Sequence, residues 1–209
     1  MDLGAGTGKF TRLMADTGAT VTAVEPVEAM RSQLAAKLPA VTVPAGTAES
    51  IPLPSGSVDA LVCAQSFHWF ATRAALAEIH RVLKPGGRLG LIGNVRDESF
   101  DWVAEIDRII TPCEGDVPRF HKGEWRTPFT AGTLTDLALD TFDYQHVGSA
   151  EDVIIDSFMS SSVIAALEGA DRAVVTTALS DQISTHPSLA GSAKVEFPYR
   201  TEAYWCEPL

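Results

Sequence analysis

Apolar and polar positions switch between helical and strand spacing along the chain, and the switches predict an order of elements. Phe10, Leu13, Met14 and Thr17 fall at i, i+3, i+4 and i+7, a stripe that predicts a helix over 7–17 stopped by Gly18. Thr20 to Glu25 is short and β-branched, a strand that Pro26 ends. Val27, Met30, Leu34 and Leu38 mark a second helix, and Val41-Thr42-Val43 a third strand. Val58 to Ala64 is a fourth strand, apolar on both faces as parallel strands are. The helix predicted over 71–83 carries Leu76, Ile79 and Leu83 on one face and ends at Pro85-Gly86-Gly87, before a fifth strand over 88–95. Downstream the pattern predicts a helix over 102–110, a strand over 141–147, and one or two helices over 149–179 with a break near Ser160 to Ser162. Val195, Phe197 and Tyr199 alternate in a closing antiparallel edge strand interrupted at Pro198.

Repeated β-α-β order predicts an α/β fold: a doubly wound, Rossmann-like, mostly parallel sheet with helices on both faces. Ligands in such sheets bind outside the carboxyl ends of the strands, where the winding reverses, and the glycine-rich run 2–8 sits there. With 209 residues, 45% of them hydrophobic, one core and one domain over 1–209 are expected. Residues 1–95 form its ligand-binding half, and 96–209 its substrate side and sheet completion. The balance of 27 acidic against 16 basic residues, a net charge of -11, repels a polyanion and argues against a nucleic-acid partner. Cys63, Cys113 and Cys206 are far apart, which argues against a disulfide framework or a zinc site and suits a reducing cytoplasm. No stretch approaches the roughly 18 apolar residues of a membrane span.

Three chemistries use a glycine-rich strand-to-helix turn. A phosphate-binding loop of the G-x-x-x-x-G-K-[ST] type would need glycine where Leu3 stands and a hydroxyl where Phe10 stands. A dinucleotide turn would need its third glycine at Lys9. What remains is acid-x-G-x-G-x-G, built from Asp2, Gly4, Gly6 and Gly8. A carboxylate beside the turn repels phosphate but attracts an ammonium group, directly or through water, while the helix N-terminus offers N–H groups to an anion. The glycines let backbone approach a ligand closely. Glu25, 23 residues after Asp2 at a strand end, is placed for ribose hydroxyls, a feature shared with NAD sites.

These segments resemble the class I S-adenosylmethionine-dependent methyltransferases, in particular the type 11 group of small-molecule enzymes. The likeness is carried by DLGAGTGKFT at 2–11, AVEP at 23–26, GTAESIPLPSGSVD at 46–59, AQSFHWF at 64–70 and EIHRVLKPGGRLGLIGNVRDES at 78–99, and it extends into the tail. The resemblance implies a seven-stranded sheet with an antiparallel last strand, S-adenosylmethionine as cofactor and a small-molecule acceptor. It implies that Gly4, Gly6 and Gly8 cradle the amino-acid end and Glu25 holds the ribose. Ala48 and Glu49 would contact the adenine edge, and Gln65, Phe67 and His68 would face the sulfonium and the substrate. The family pattern often carries an aromatic residue where this chain has Gly93, a departure that would widen the pocket or lighten packing.

Plainer roles stand beside these. His68, flanked by Phe67, Trp69 and Phe70, is either a packed histidine or a base for a phenol, amine or carbon acceptor; a carboxylate acceptor needs no base. Trp69 and Phe70 read as core or pocket wall, and Trp102, Trp125 and Phe129 as acceptor site or ordinary core. His80 reads as packed or solvent-facing, the acidic pair Glu151-Asp152 as a helix start, and no metal is implied. The first strand is expected to be truncated, with an upstream lid segment lacking, because only Met1 to Leu3 precede the turn. From this follows the alternative expectation of an inactive or non-enzymatic fragment with weak cofactor binding. A nicotinamide-dependent oxidoreductase is the third reading. The oligomeric state is not legible.

Overall fold

Why β1 holds its place with two residues is answered by its neighbours. In the computed structural model, which describes residues 1–129 and 136–207, β1 (Asp2–Leu3) pairs parallel with β2 (Ala23–Val24) on one side and β3 (Val58–Ala64) on the other. Residues 130–135 and 208–209 of the expected 1–209 span lie outside the described residues. Asp2 N donates to Thr22 O at 2.9 Å, and Val62 N to Met1 O at 2.9 Å, so the short strand satisfies both flanks.

The remaining elements follow in order. Helix α1 (Lys9–Asp16) leaves the glycine turn, and α2 (Glu28–Lys37) follows β2. A 3₁₀ turn (Phe67–Trp69) links β3 to α3 (Arg73–Val82), whose N-cap Thr72 accepts from Ala75 N at 3.1 Å. Strand β4 (Leu83–Arg96) leads to α4 (Asp101–Glu114), a 3₁₀ turn (Glu124–Arg126) and β5 (Ala138–Gly148). A π-helical turn (Glu151–Asp156) runs into α5 (Ser157–Met159), then come α6 (Ser162–Ala165), α7 (Gly169–Thr185) and β6 (Val195–Cys206). The sheet order is β2-β1-β3-β4-β6-β5, mostly parallel with antiparallel strands.

The expected α/β doubly wound fold is present, and several local expectations are corrected. Six strands are described rather than seven: Val41–Val43 contributes only a parallel bridge, Thr22 to Thr42, because Pro39 and Pro44 leave no length for a ladder. In α1 the buried residue is Thr11 and Leu13 is exposed, contrary to the apolar stripe, because Thr11 reaches under the turn to Asp2. Of the second helical stripe Leu34 is buried, while Met30 and Val27, the residue before α2, are exposed. Pro85-Gly86-Gly87 does not precede the strand but bulges within it, since Val58 pairs with Leu83 and Ala60 with Arg88. Nor is the closing strand an edge interrupted at Pro198: β6 runs unbroken through it and lies between β4 and β5, while the Pro198 carbonyl still accepts from Asp97 N at 3.1 Å.

By contact density the chain forms two compact units, Met1–Gly93 with Pro118–Thr141 and Glu202–Leu209, and Asn94–Val117 with Phe142–Thr201. The second unit packs Trp102, Val103, Ile106 and Ile110 of α4 with Val153, Ile154, Phe158, Leu179 and Phe197. Each fully buried aliphatic or aromatic side chain contributes roughly 1.5–3 kcal/mol. Trp102 meets Phe197 edge-on at 5.1 Å, which makes it core rather than acceptor wall. The glycine turn, Glu25, the loop after β3 and residues 118–129 all belong to the first unit.

Candidate functional site

At the carboxyl ends of β1, β2 and β3 the chain builds a fixed cradle. Gly4 N and Ala5 N both donate to Val24 O, at 2.9 and 3.2 Å, and Gly8 N closes the turn on Ala5 O at 3.0 Å. Glu25 holds the turn from the side: Oε2 accepts from Gly6 N and Oε1 from Val27 N, each at 2.9 Å. Asp2 lies underneath, 1% exposed, and accepts from Thr11 Oγ1 at 2.6 Å. Burial pushes its carboxyl above the usual range, and the Thr11 bond opposes this.

All three turn glycines have positive φ, which favours glycine, but their surroundings differ. A Cβ on Gly4 would stand 2.7 Å from Ser66 Cβ and 3.2 Å from Phe70 Cε1, and one on Gly8 would stand 2.8 Å from Leu34 Cγ of α2. On Gly6 it would meet nothing within 4 Å. Gly4 and Gly8 therefore let protein pack on the turn, while Gly6 faces open space beside the Glu25 carboxylate. Helix α1 starts at this point, its N-cap Gly8 offering no side-chain acceptor to the first-turn N–H groups.

The other expected residues lie in two loops, one over 46–50 and one after β3. Ala48 is buried and Glu49 exposed in the turn closed by Ser50 N donating to Thr47 O at 3.3 Å. A Cβ on Gly46 would lie 3.1 Å from Val24 Cγ1, so this loop runs beside the end of β2. Its continuation is tied to α3 by two residues of the 78–99 segment to which the sequence assigns no role: Glu78 accepts from Ile51 N at 2.9 Å, and Arg81 donates to Glu78, Leu53 O and Ile51 O. Gln65, exposed at the tip of β3, holds φ 55°, a strained value for a residue with a side chain. Its N–H donates to Ile92 O at 2.8 Å, and the next residue, Ser66, donates Oγ to Leu3 O at 2.7 Å, binding the β3 tip to the turn. Ser66 was not anticipated, because a contact 63 residues away leaves no local signal.

His68 is 8% exposed, and its Nδ1 has no hydrogen-bond partner among the described residues. Burial, then the charges of Arg119 and His121, lower its pKa to about 4, so the ring is neutral at physiological pH. Beside it stands an aromatic cluster. Phe67 meets Phe70 at 5.6 Å, Phe129 at 5.5 Å and Trp125 at 6.3 Å, and Trp125 donates Nε1 to Phe120 O at 2.9 Å. Trp125 is buried core of this cluster, while Trp69 is exposed. The missing side chain at Gly93 is accounted for: Phe120 occupies its place, 2.3 Å from where a Cβ would stand, and stacks on Trp125 at 5.1 Å. The glycine does not widen a pocket; it admits a ring from another segment.

A cleft of about 490 Å³ opens at the opposite, amino ends of the strands, lined by Met1, Thr22 and Asp59 among others, away from this chemistry. Among the described residues no cluster of histidine, cysteine or acid is placed to hold a metal, and no helix is long and apolar enough to cross a membrane. The three cysteines are free thiols.

The cradle's donors suit an adenosyl amino acid. Open space at Gly6, a fixed carboxylate with further lone pairs and an uncapped helix start are what a ribose and a zwitterionic tail require. The comparisons with known proteins agree. Residues 1–91 match the family described as methyltransferase domain. The chain is similar to a methyltransferase-like protein of Schizosaccharomyces pombe, 35% identical over 99% of this chain and 81% of that one. It is also similar to a methyltransferase of Mycobacterium bovis, 38% identical over 96% and 79%. Among solved structures, a methyltransferase from Anaeromyxobacter dehalogenans aligns with TM-score 0.63 and 26% identity, covering 99% of this chain and 86% of that one. With the fold, the turn and these relatives in agreement, the chain belongs to the class I S-adenosylmethionine-dependent methyltransferases.

Proposed function

We propose that this enzyme methylates a small, partly apolar molecule, with S-adenosylmethionine bound over Gly6 and the acceptor against the aromatic cluster. The observation that carries the reading is the open space at Gly6 beside the Glu25 carboxylate. When bound, the cofactor supplies a methyl group already activated by positive sulfur. Glu25 accepts the ribose hydroxyls with the lone pairs that Gly6 and Val27 leave over. Gly4 and Gly8 hold the shape of the turn, so that only Gly6 lends its space directly. Asp2, buried and bonded to Thr11, acts on the ammonium group through its field or a water rather than by direct contact. Ala48 presents backbone to the adenine edge, Glu49 accepts from its exocyclic amine, and Gln65 faces the sulfonium.

Transfer is an in-line displacement, for which proximity and orientation supply much of the acceleration. A ring with a pKa of about 4 is a poor general base at neutral pH, so His68 positions the acceptor through its unpartnered Nδ1. Calorimetric titration with S-adenosylmethionine, S-adenosylhomocysteine and NAD tests the reading. Heat is expected from the two adenosyl amino acids and not from NAD, and Glu25→Ala abolishes it. A folded sample that gives no heat with either adenosyl ligand overturns the proposal.

A further inference from the structure

Strand β5 ends the sheet, and among the described residues nothing pairs with its outer edge. Edge strands are ordinarily blunted by shortness, proline or charged side chains, lysine above all. This one is 11 residues long, contains no proline, lysine or arginine, and has Asp140 and Asp143 as its charges. It also exposes large apolar side chains: Phe142 is 60% exposed, and Leu139, Tyr144 and Val147 are exposed as well. Such a surface is a template for another strand, and its own sequence names the partner.

Read against its reverse about Asp143, the midpoint of the strand, β5 is self-complementary. Leu139 falls opposite Val147, Phe142 opposite Tyr144, and the Asp140 carboxylate opposite the His146 imidazole. Asp140 is held on that face by Trp205, whose Nε1 donates to Oδ2 at 3.1 Å. We propose that the free edge of β5 is a homodimer interface, in which two copies of the strand pair antiparallel about a two-fold axis at Asp143. Such a contact is isologous and closes after two subunits, adding roughly ten backbone hydrogen bonds between the copies. The two Asp143 side chains meet on the axis as like charges, which keeps the association reversible.

Sedimentation of the full chain across a wide concentration range tests this. Wild type is expected to show a monomer–dimer equilibrium, Phe142→Lys to weaken it by at least about tenfold, and Asp143→Asn to tighten it roughly two- to fivefold. The register has its own test, because only a self-paired position brings identical residues within disulfide reach. Asp143→Cys should form a covalent dimer on mild oxidation, while Thr141→Cys, which faces Gln145 in this register, should do so no faster than wild type. Circular dichroism of each variant checks that it is folded. A wild type that stays monomeric throughout, or an Asp143→Cys that crosslinks no faster than Thr141→Cys, overturns the proposal.

Discussion

Replacing Gly6 and Gly8 separately by alanine distinguishes a glycine that makes room for ligand from one that makes room for protein. Both have positive φ, 56° and 85°. Alanine there costs about 1–2 kcal/mol in backbone strain, of which about 0.4–1 kcal/mol is returned by a less disordered unfolded chain. For Gly6→Ala that is nearly the whole effect, a net loss of about 1 kcal/mol, since no atom lies within 4 Å of the new methyl. For Gly8→Ala the methyl stands 2.8 Å from Leu34 Cγ, and overpacking adds about 1–3 kcal/mol, for a total of about 2–4. Binding should rank the other way. In the proposed binding mode Gly6→Ala places its methyl against the amino-acid end of the cofactor and weakens S-adenosylhomocysteine by at least about tenfold, whereas Gly8→Ala, once folded, binds nearly as wild type. Urea denaturation gives the first ranking and calorimetry the second. A Gly6→Ala protein with unchanged affinity would refute the assignment of that space to the ligand.

Three further outcomes follow from contacts described above. His68 has its folded pKa lowered to about 4, so as pH falls below its ordinary 6.5 the unfolded chain takes the proton first. Stability present above pH 6.5 is lost as pH falls toward 4, by up to about 3 kcal/mol, and His68→Gln should flatten that limb of a denaturation series. Gly93→Ala drives a methyl into the Phe120 ring and costs about 1–3 kcal/mol; adding Phe120→Leu should recover part of it, giving a non-additive double-mutant cycle. Thr11→Val leaves the buried Asp2 carboxylate without the 2.6 Å donor and costs about 1–3 kcal/mol by urea titration; no loss would remove Thr11 as the anchor of α1.

What could be read from the chain alone divides by sequence separation. The glycine turn, Glu25 and the order of the first strands and helices are written in short local patterns, and the structure gathers Asp2, Gly4, Gly6, Gly8, Glu25 and Gln65 at one end of the sheet. Thr11 was hidden because a polar residue is discounted in an amphipathic count, although its partner Asp2 was already in view. The strand at Val41–Val43 was over-read because β-branched composition says nothing of the two prolines' limit on pairing length. Ser66 on Leu3 and Phe120 in the space of Gly93 are long-range contacts with no periodicity to betray them. The one available hint was the glycine itself, since an absent aromatic in a packed interior implies a substitute from elsewhere.

That substitute alters how the enzyme can change. With Phe120 standing where a strand residue would otherwise project, one wall of the aromatic cluster is carried by a connecting segment and not by the sheet. The exposed positions of this stretch, Pro118, His121, Glu124, Arg126 and Thr127, can then vary while Phe120 and Trp125 keep the cluster packed and the ladder between β3 and β4 stays as it is. Under the proposed function, changes at those positions alter the choice of acceptor while the glycine turn is kept, which makes them the natural place to randomise in a search for altered substrate choice.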